Sequence, residues 1–128
     1  WLFTNINPDH GRDHSSELFI FYSNNPITGS WKPHDLNPLI VDPLCARNGG
    51  LLFDKHFVYR VCQKQGFSKY GAQSSIRRID SLSPHEFKEA EIISITPDFF
   101  PNITGTHHLH SNSKFSVFDY SHYKRITI

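Results

Sequence analysis

The stretch GGLLFDKHFVYRVCQ, Gly49 to Gln63, decides how the chain is read. Two runs of aliphatic and aromatic residues flank a short polar break at Asp54 to His56, the pattern of a β-hairpin. Alternation along the second run puts Tyr59 and Val61 on one face and Arg60 and Cys62 on the other. A buried Arg60 needs partners, so it either lines a pocket or reaches the edge of its sheet.

Working outward, strands are predicted wherever the hydrophobic pattern is clear. AQSSIRRID reads as a third strand and AEIISIT as a fourth, with SLSPHEF between them as a turn. Upstream, WLFT and ELFIFYS read as strands separated by the polar loop NINPDHGRDHSS. NNPITGS is a second turn, and Pro33, Pro38 and Pro43 then keep WKPHDLNPLIVDP extended rather than helical. Downstream, the loop DFFPNITG leads to GTHHLHSNSKFSVFDY, Gly105 to Tyr120, which repeats the strand, turn, strand logic.

The segments also repeat. Leu2-Phe3-Thr4, Val58-Tyr59-Arg60 and Val117-Phe118-Asp119 share an aliphatic, aromatic, polar order at a spacing of about 60 residues. Arg47 before GGLLF and His107 before HLH lie at the same interval. A period holding four strands is the unit of a β-propeller. The expectation is therefore an all-β chain forming part of a propeller. Residues 1–41 would give later strands of one blade, 42–100 a complete blade, and 101–128 the first hairpin of the next.

Composition narrows the function classes. The 128 residues hold 13 Lys and Arg against 12 Asp and Glu, a formal charge of +1 without a basic run, so nucleic acid is not expected as a partner. No apolar stretch reaches the roughly 18 residues a membrane span needs. With no Met and an opening inside an apolar run, the sequence is expected to be an excerpt, and the compartment stays open. Eleven Phe, five Tyr, eight Pro and seven Gly suit short strands and turns. Cys45 and Cys62 match no zinc or redox spacing and are expected as reduced, half-buried thiols, with a single bridge between them as the alternative. Asn102-Ile103-Thr104 is an N-glycosylation triplet, meaningful only in a secreted protein. There is no phosphate loop, Rossmann pattern or Ser-His-Asp order, and no cofactor is expected.

Five segments carry a family resemblance: WLFT, ELFIFYSNNPITGSWKPHDLNPL, ARNGGLLF, YRVCQKQGFSKYG and GTHHLHSNSKFSVFDY. Tyr22-Ser23, Gly29, Trp31, His34 and Asn37-Pro38 match the signature of a group of carbohydrate-active propellers, as do Ala46-Arg47, Gly50, Tyr59-Arg60, Gln63, Tyr70-Gly71 and Gly105-Thr106-His107. The chain resembles the five-bladed propeller related to glycoside hydrolase family 43. Within that group it is most like the N-terminal propeller of glucosamine inositolphosphorylceramide transferases and their bacterial relatives. Val61 and Asp119-Tyr120 stand where those relatives often have Pro and Asp-Gly. The resemblance implies a carbohydrate or glycolipid headgroup as ligand and the remaining blades of the parent chain as partners. Whether the domain is catalytic stays open: it is glycoside hydrolase-like, transferase-associated, or a non-catalytic glycan-binding or protein-interaction module.

The candidate binding residues are Arg47, Arg60, Gln63, Tyr70, His107 and Asp119. Arg47 and His107 open equivalent strands that a propeller would aim at one axial pocket; the ordinary alternative pairs Arg47 with Asp42. Gln63 suits a sugar hydroxyl and Tyr70 a sugar face. His108 and His110 share a face, but no third ligand is spaced to complete a metal site, so solvated or hydrogen-bonded imidazoles are expected. Asp119, Asp42 and Glu17 are the carboxylates nearest strand ends, and turn or surface roles are the ordinary reading of each.

Overall fold

A computed structural model describes residues 1–6, 14–67, 69 and 71–124. Among these residues there is no helix, and the strands form three antiparallel sheets in chain order. The expected all-β class is what the chain adopts. Most of the loop NINPDHGRDHSS, and Tyr70, lie outside the described residues.

The first sheet is built around β2 (Glu17–Tyr22), which pairs with β1 (Leu2–Thr4) on one side and with the short β3 (Lys32–Pro33) and β4 (Ile40–Val41) on the other. The prolines confine β3 and β4 to two residues each. Between them Asn37 stands in for a strand residue: its side-chain amide accepts from Ile20 N at 2.9 Å and donates to Ile20 O at 2.8 Å. The central strand thus keeps its backbone groups satisfied where the ladder is interrupted.

The second sheet is a meander of β5 (Arg47–Phe53), β6 (Val58–Lys64), β7 (Gln73–Leu82) and β8 (Phe87–Ile95). The hairpin read from GGLLFDKHFVYRVCQ is present, with Phe53 opposite Val58. Asp54 makes its turn, accepting from both His56 N and Phe57 N at 2.7 Å. The Tyr59 hydroxyl also donates to Asp54 at 2.6 Å; that bond, with the two amides, holds the carboxyl below its usual range. SLSPHEF is the turn expected, closed by Ser83 N donating to Glu86 O.

The third sheet is the hairpin of β9 (Ile103–Ser111) and β10 (Ser116–His122). Its turn repeats the device of the previous hairpin, with Asn112 Oδ1 accepting from Lys114 N and Phe115 N at 2.8 and 3.0 Å. Short polar side chains that bond the backbone two and three residues on are favoured in such turns.

The core lies between the first two sheets. Leu18, Ile20 and Ala46 are buried there against Phe3, Leu39, Ile40, Leu82 and Phe87. Asn5 fastens the two sheets at one corner, donating to Glu17 O and Ala46 O and accepting from Asn48 N. The opposite face of the second sheet meets β9, where Thr106 Oγ1 donates to Ser74 Oγ at 2.8 Å. Glycine permits this approach. A Cβ on Gly49 would stand 2.5 Å from the His107 carbonyl, and one on Gly50, whose φ is +130°, would collide with the Leu109 carbonyl.

Candidate functional site

The starts of β5 and β9 gather at one end of the sheets, with the loop after β6 between them. Gly71, at φ +65°, touches Gly105, and its carbonyl accepts from Thr106 N at 3.0 Å. A small cavity of about 220 Å³ opens beside this contact, lined by Gly71, Gly105, Thr106, His107, Asp119 and Tyr120.

Arg47 opens β5 and does not turn to Asp42. Its Nη1 donates to Ser15 Oγ at 2.9 Å and to the His14 carbonyl at 3.3 Å, and Gln65 Nε2 donates to the same hydroxyl at 3.0 Å. Asp42 is committed to its own turn instead: Leu44 N donates to it at 2.8 Å and the Cys45 thiol at 3.6 Å. Burial, reinforced by this carboxylate, pushes the Cys45 thiol up to about 11. Neither cysteine is bridged, and Cys62 is fully buried beside Ser75 rather than half-buried.

Arg60 is turned into the interior and reaches past β7 to Glu89 on the edge strand β8. It is fully buried. Nε and Nη2 grip Glu89 at 2.8 and 2.5 Å, Nη2 also donates to Cys45 O at 2.7 Å, and Nη1 reaches Asn48 Oδ1 and Ala46 O. A guanidinium has five N–H donors, and these five contacts use them, so none is left for a sugar. Arg77 joins the same Glu89 oxygen at 2.6 Å and Glu91 at 3.1 Å. The cluster braces the second sheet across its width, from the loop before β5 to β8.

Gln63 is different. It too is fully buried, yet its amide nitrogen and oxygen both lack a hydrogen-bond partner. A Cβ on Gly71 would stand 3.0 Å from Gln63 Nε2, so the amide lies directly beneath the gathered strand starts. An unpaired buried amide is costly, on the order of 1–3 kcal/mol, unless a water or ligand completes it.

His107 and Asp119 face each other across the third hairpin. Both His107 N and His108 N donate to Asp119 Oδ1, at 3.1 and 2.6 Å, and His107 Nδ1 lies 3.4 Å from Asp119 Oδ2. Asp119 therefore clamps the irregular register between β9 and β10. Glu17 opens β2, two residues along the chain from the Ser15 hydroxyl that Arg47 holds.

His108 and His110 are both exposed, as expected of solvated imidazoles. They line a groove of about 380 Å³ in which residues from all three sheets meet, with Trp1, Phe3, Asn48, Gly50, Leu51 and Phe53. Asn48 Nδ2, nearby, is another buried donor without a partner. Only the alternation of HHLH signalled the shared face of the two imidazoles. Among the described residues no three His, Cys, Asp or Glu side chains gather as a metal-ligand set.

Arg47, Gln63 and His107 are thus on the elements that gather at one end, Asp119 is held beside His107, Arg60 is withdrawn into the interior, and Tyr70 is undescribed. Against this geometry the likeness to known proteins is specific. Residues 1–100 match the family model of the glucosamine inositolphosphorylceramide transferase 1 N-terminal region. The chain is 37% identical over 95 residues to glucosamine inositolphosphorylceramide transferase 1 of Oryza sativa subsp. japonica, and equally to that of subsp. indica. Each match covers 72% of this chain but only 12% of the relative. No solved structure matches. With the family model covering most of its length, the chain belongs to the glucosamine inositolphosphorylceramide transferase 1 N-terminal family.

Proposed function

We propose that the chain is a segment of a five-bladed propeller related to glycoside hydrolase family 43, within a glycosyltransferase-associated, glycan-processing protein. The three sheets would then be successive blades, divided at residues 1–41, 42–100 and 101–128. Two features support this reading. β5 and β9 approach in the same sense, Gly49 against His107 and Gly50 against Leu109, as innermost strands of neighbouring blades do. The hairpins of the second and third sheets also carry the same turn, Asp54 to Phe57 and Asn112 to Phe115.

The ligand in this reading is a carbohydrate or glycolipid headgroup, bound where the strand starts gather and completed by the remaining blades of the parent chain. Arg47, with its planar fork, suits a phosphate or sugar hydroxyls, and His107 opens the equivalent strand. The observation that carries the proposal is the Gln63 amide, a paired donor and acceptor buried without partners. One sugar hydroxyl answers both of its needs, directly or through a water. The role is binding rather than bond cleavage. Glycoside hydrolysis needs two carboxyl groups held across the bond, and here Asp42 and Asp119 are occupied with backbone turns and bulges.

Calorimetric titration of the full-length protein with a soluble inositol-phosphate glycoside tests this. Arg47→Ala and Gln63→Leu should each weaken binding by about tenfold, the loss of one good hydrogen bond to a polar ligand. Unchanged affinity in both variants would overturn the proposal.

A further inference from the structure

The turn between the second and third sheets reads Phe99-Phe100-Pro101-Asn102-Ile103-Thr104. Asn102 is exposed, and it is the one non-glycine residue among those described with a positive φ, 66°. Its side-chain amide has no hydrogen-bond partner among the described residues. The position after next is a threonine and the residue between is not proline, the spacing an asparagine acceptor requires.

The surroundings add a second, independent observation. Phe99 and Phe100, three and two residues before the asparagine, are left exposed at 37% and 54%. They continue into an aromatic row: Phe99 lies 5.3 Å from Phe118, Phe100 6.2 Å from Tyr120, and Tyr120 6.3 Å from His122. Tyr120 and Phe118 are themselves 49% and 43% exposed. Phe100, two residues before the asparagine, presents an exposed aromatic face at this turn. That face suits a sugar, whose C–H face lies against an aromatic ring while its hydroxyls remain in water.

We infer that Asn102 carries an N-linked glycan whose first sugar lies on the ring of Phe100, beside Tyr120. The left-handed turn directs the asparagine outward at the point where the chain reverses into β9. The donor is an oligosaccharide carried on a lipid pyrophosphate. The Asn102 side-chain nitrogen bonds to the anomeric carbon, the anomeric carbon–oxygen bond breaks, and the lipid pyrophosphate leaves as the nitrogen gives up one proton. The modification requires a lumenal or secreted location for this turn. It does not depend on the ligand proposed for the strand-start cluster, although Tyr120 also lines the small cavity there.

The test begins with full-length protein expressed in a eukaryotic host under its own targeting signals. Peptide-N-glycosidase digestion in heavy-oxygen water should convert Asn102 to labelled aspartate, seen by peptide mass spectrometry, and Asn102→Asp should abolish the label. The glycosylated protein should melt about 3 °C above its enzymatically deglycosylated form, a shift suited to one surface contact. Phe100→Ala should keep the glycan but lose that increment. An unmodified Asn102 overturns the inference outright. A glycan whose stabilisation survives Phe100→Ala overturns the stacking that gives the aromatic row its role.

Discussion

The two hairpins of this chain begin from nearly the same sequence logic and end in opposite surroundings. In the first, β6 gains β7 as a neighbour and is covered on both faces, so that Arg60, Val61, Cys62 and Gln63 are all fully buried. In the second, β10 has only β9 beside it among the described residues, and every one of its residues is exposed. Turn chemistry is the same in both, an Asp or Asn accepting from two amides ahead of a Phe. The local code therefore makes the hairpin, while burial comes from what is stacked upon it. A fully buried strand can then carry charge only inside a closed network, and an open one can carry aromatic rings with no network at all.

The largest test of this contrast is Glu89→Ala. It would leave Arg60 without its counterion in the interior, directly opposite an Arg77 that keeps Glu91. Breaking a buried ion pair from one side costs about 3–5 kcal/mol, read as a lower urea midpoint. Val117→Ala on the open hairpin should stay within about 0.5 kcal/mol by the same measurement. Equal losses in the two variants would erase the distinction between the regions. Gly50→Ala comes next, at about 2–3 kcal/mol, because a side chain at φ +130° would be strained and driven into Leu109 O. Its signature is regional: amide exchange should quicken in β9 while β6 and β7 keep their protection.

How much of this was legible in the sequence follows from range. Strands and turns were, since alternation and Asp or Asn chemistry act over a few residues. The fate of Arg60 was not, because Glu89, which claims it, is 29 residues away and two strands over. Arg47 looked toward Asp42 by proximity in the chain, yet the carboxylate closes its own turn and Arg47 reaches back to Ser15. The grouping of His108 and His110 with Trp1 and Asn48 depends on three sheets meeting, which no local pattern encodes. Asp119 was readable as a strand-end residue, but its clamp on two successive amides arises from an irregular register that alternation does not announce.

A third test turns on the Gln63 amide, which the covered hairpin leaves open at both nitrogen and oxygen. Gln63→Leu removes an amide with no partner, so folding stability should change by less than about 1 kcal/mol, or rise, whereas a paired buried glutamine would cost more. A loss comparable to Glu89→Ala would mean that the amide is satisfied within the fold and is no opening for a ligand.

The smallest effect belongs to Cys45, at the border of the covered region. Its thiol titrates at about 11 in the folded chain against an ordinary value of 9.0, because burial and Asp42 disfavour the thiolate. The unfolded chain ionises first as pH rises. The stabilising term is therefore fully present below pH 9 and is lost as pH climbs towards 11. Partial exposure and solvent screening keep this loss below about 1 kcal/mol. It should appear as a steeper fall of melting temperature between those pH values in the natural chain than in Cys45→Ser. A parallel readout avoids the background of lysines and tyrosines that titrate in the same range. With a thiolate fraction roughly 100-fold lower than that of a free cysteine, Cys45 should resist iodoacetamide near pH 8 until urea releases it. Rapid alkylation of the folded protein would place this thiol in the open, and the border between the covered and uncovered regions would have to be drawn on the other side of β5.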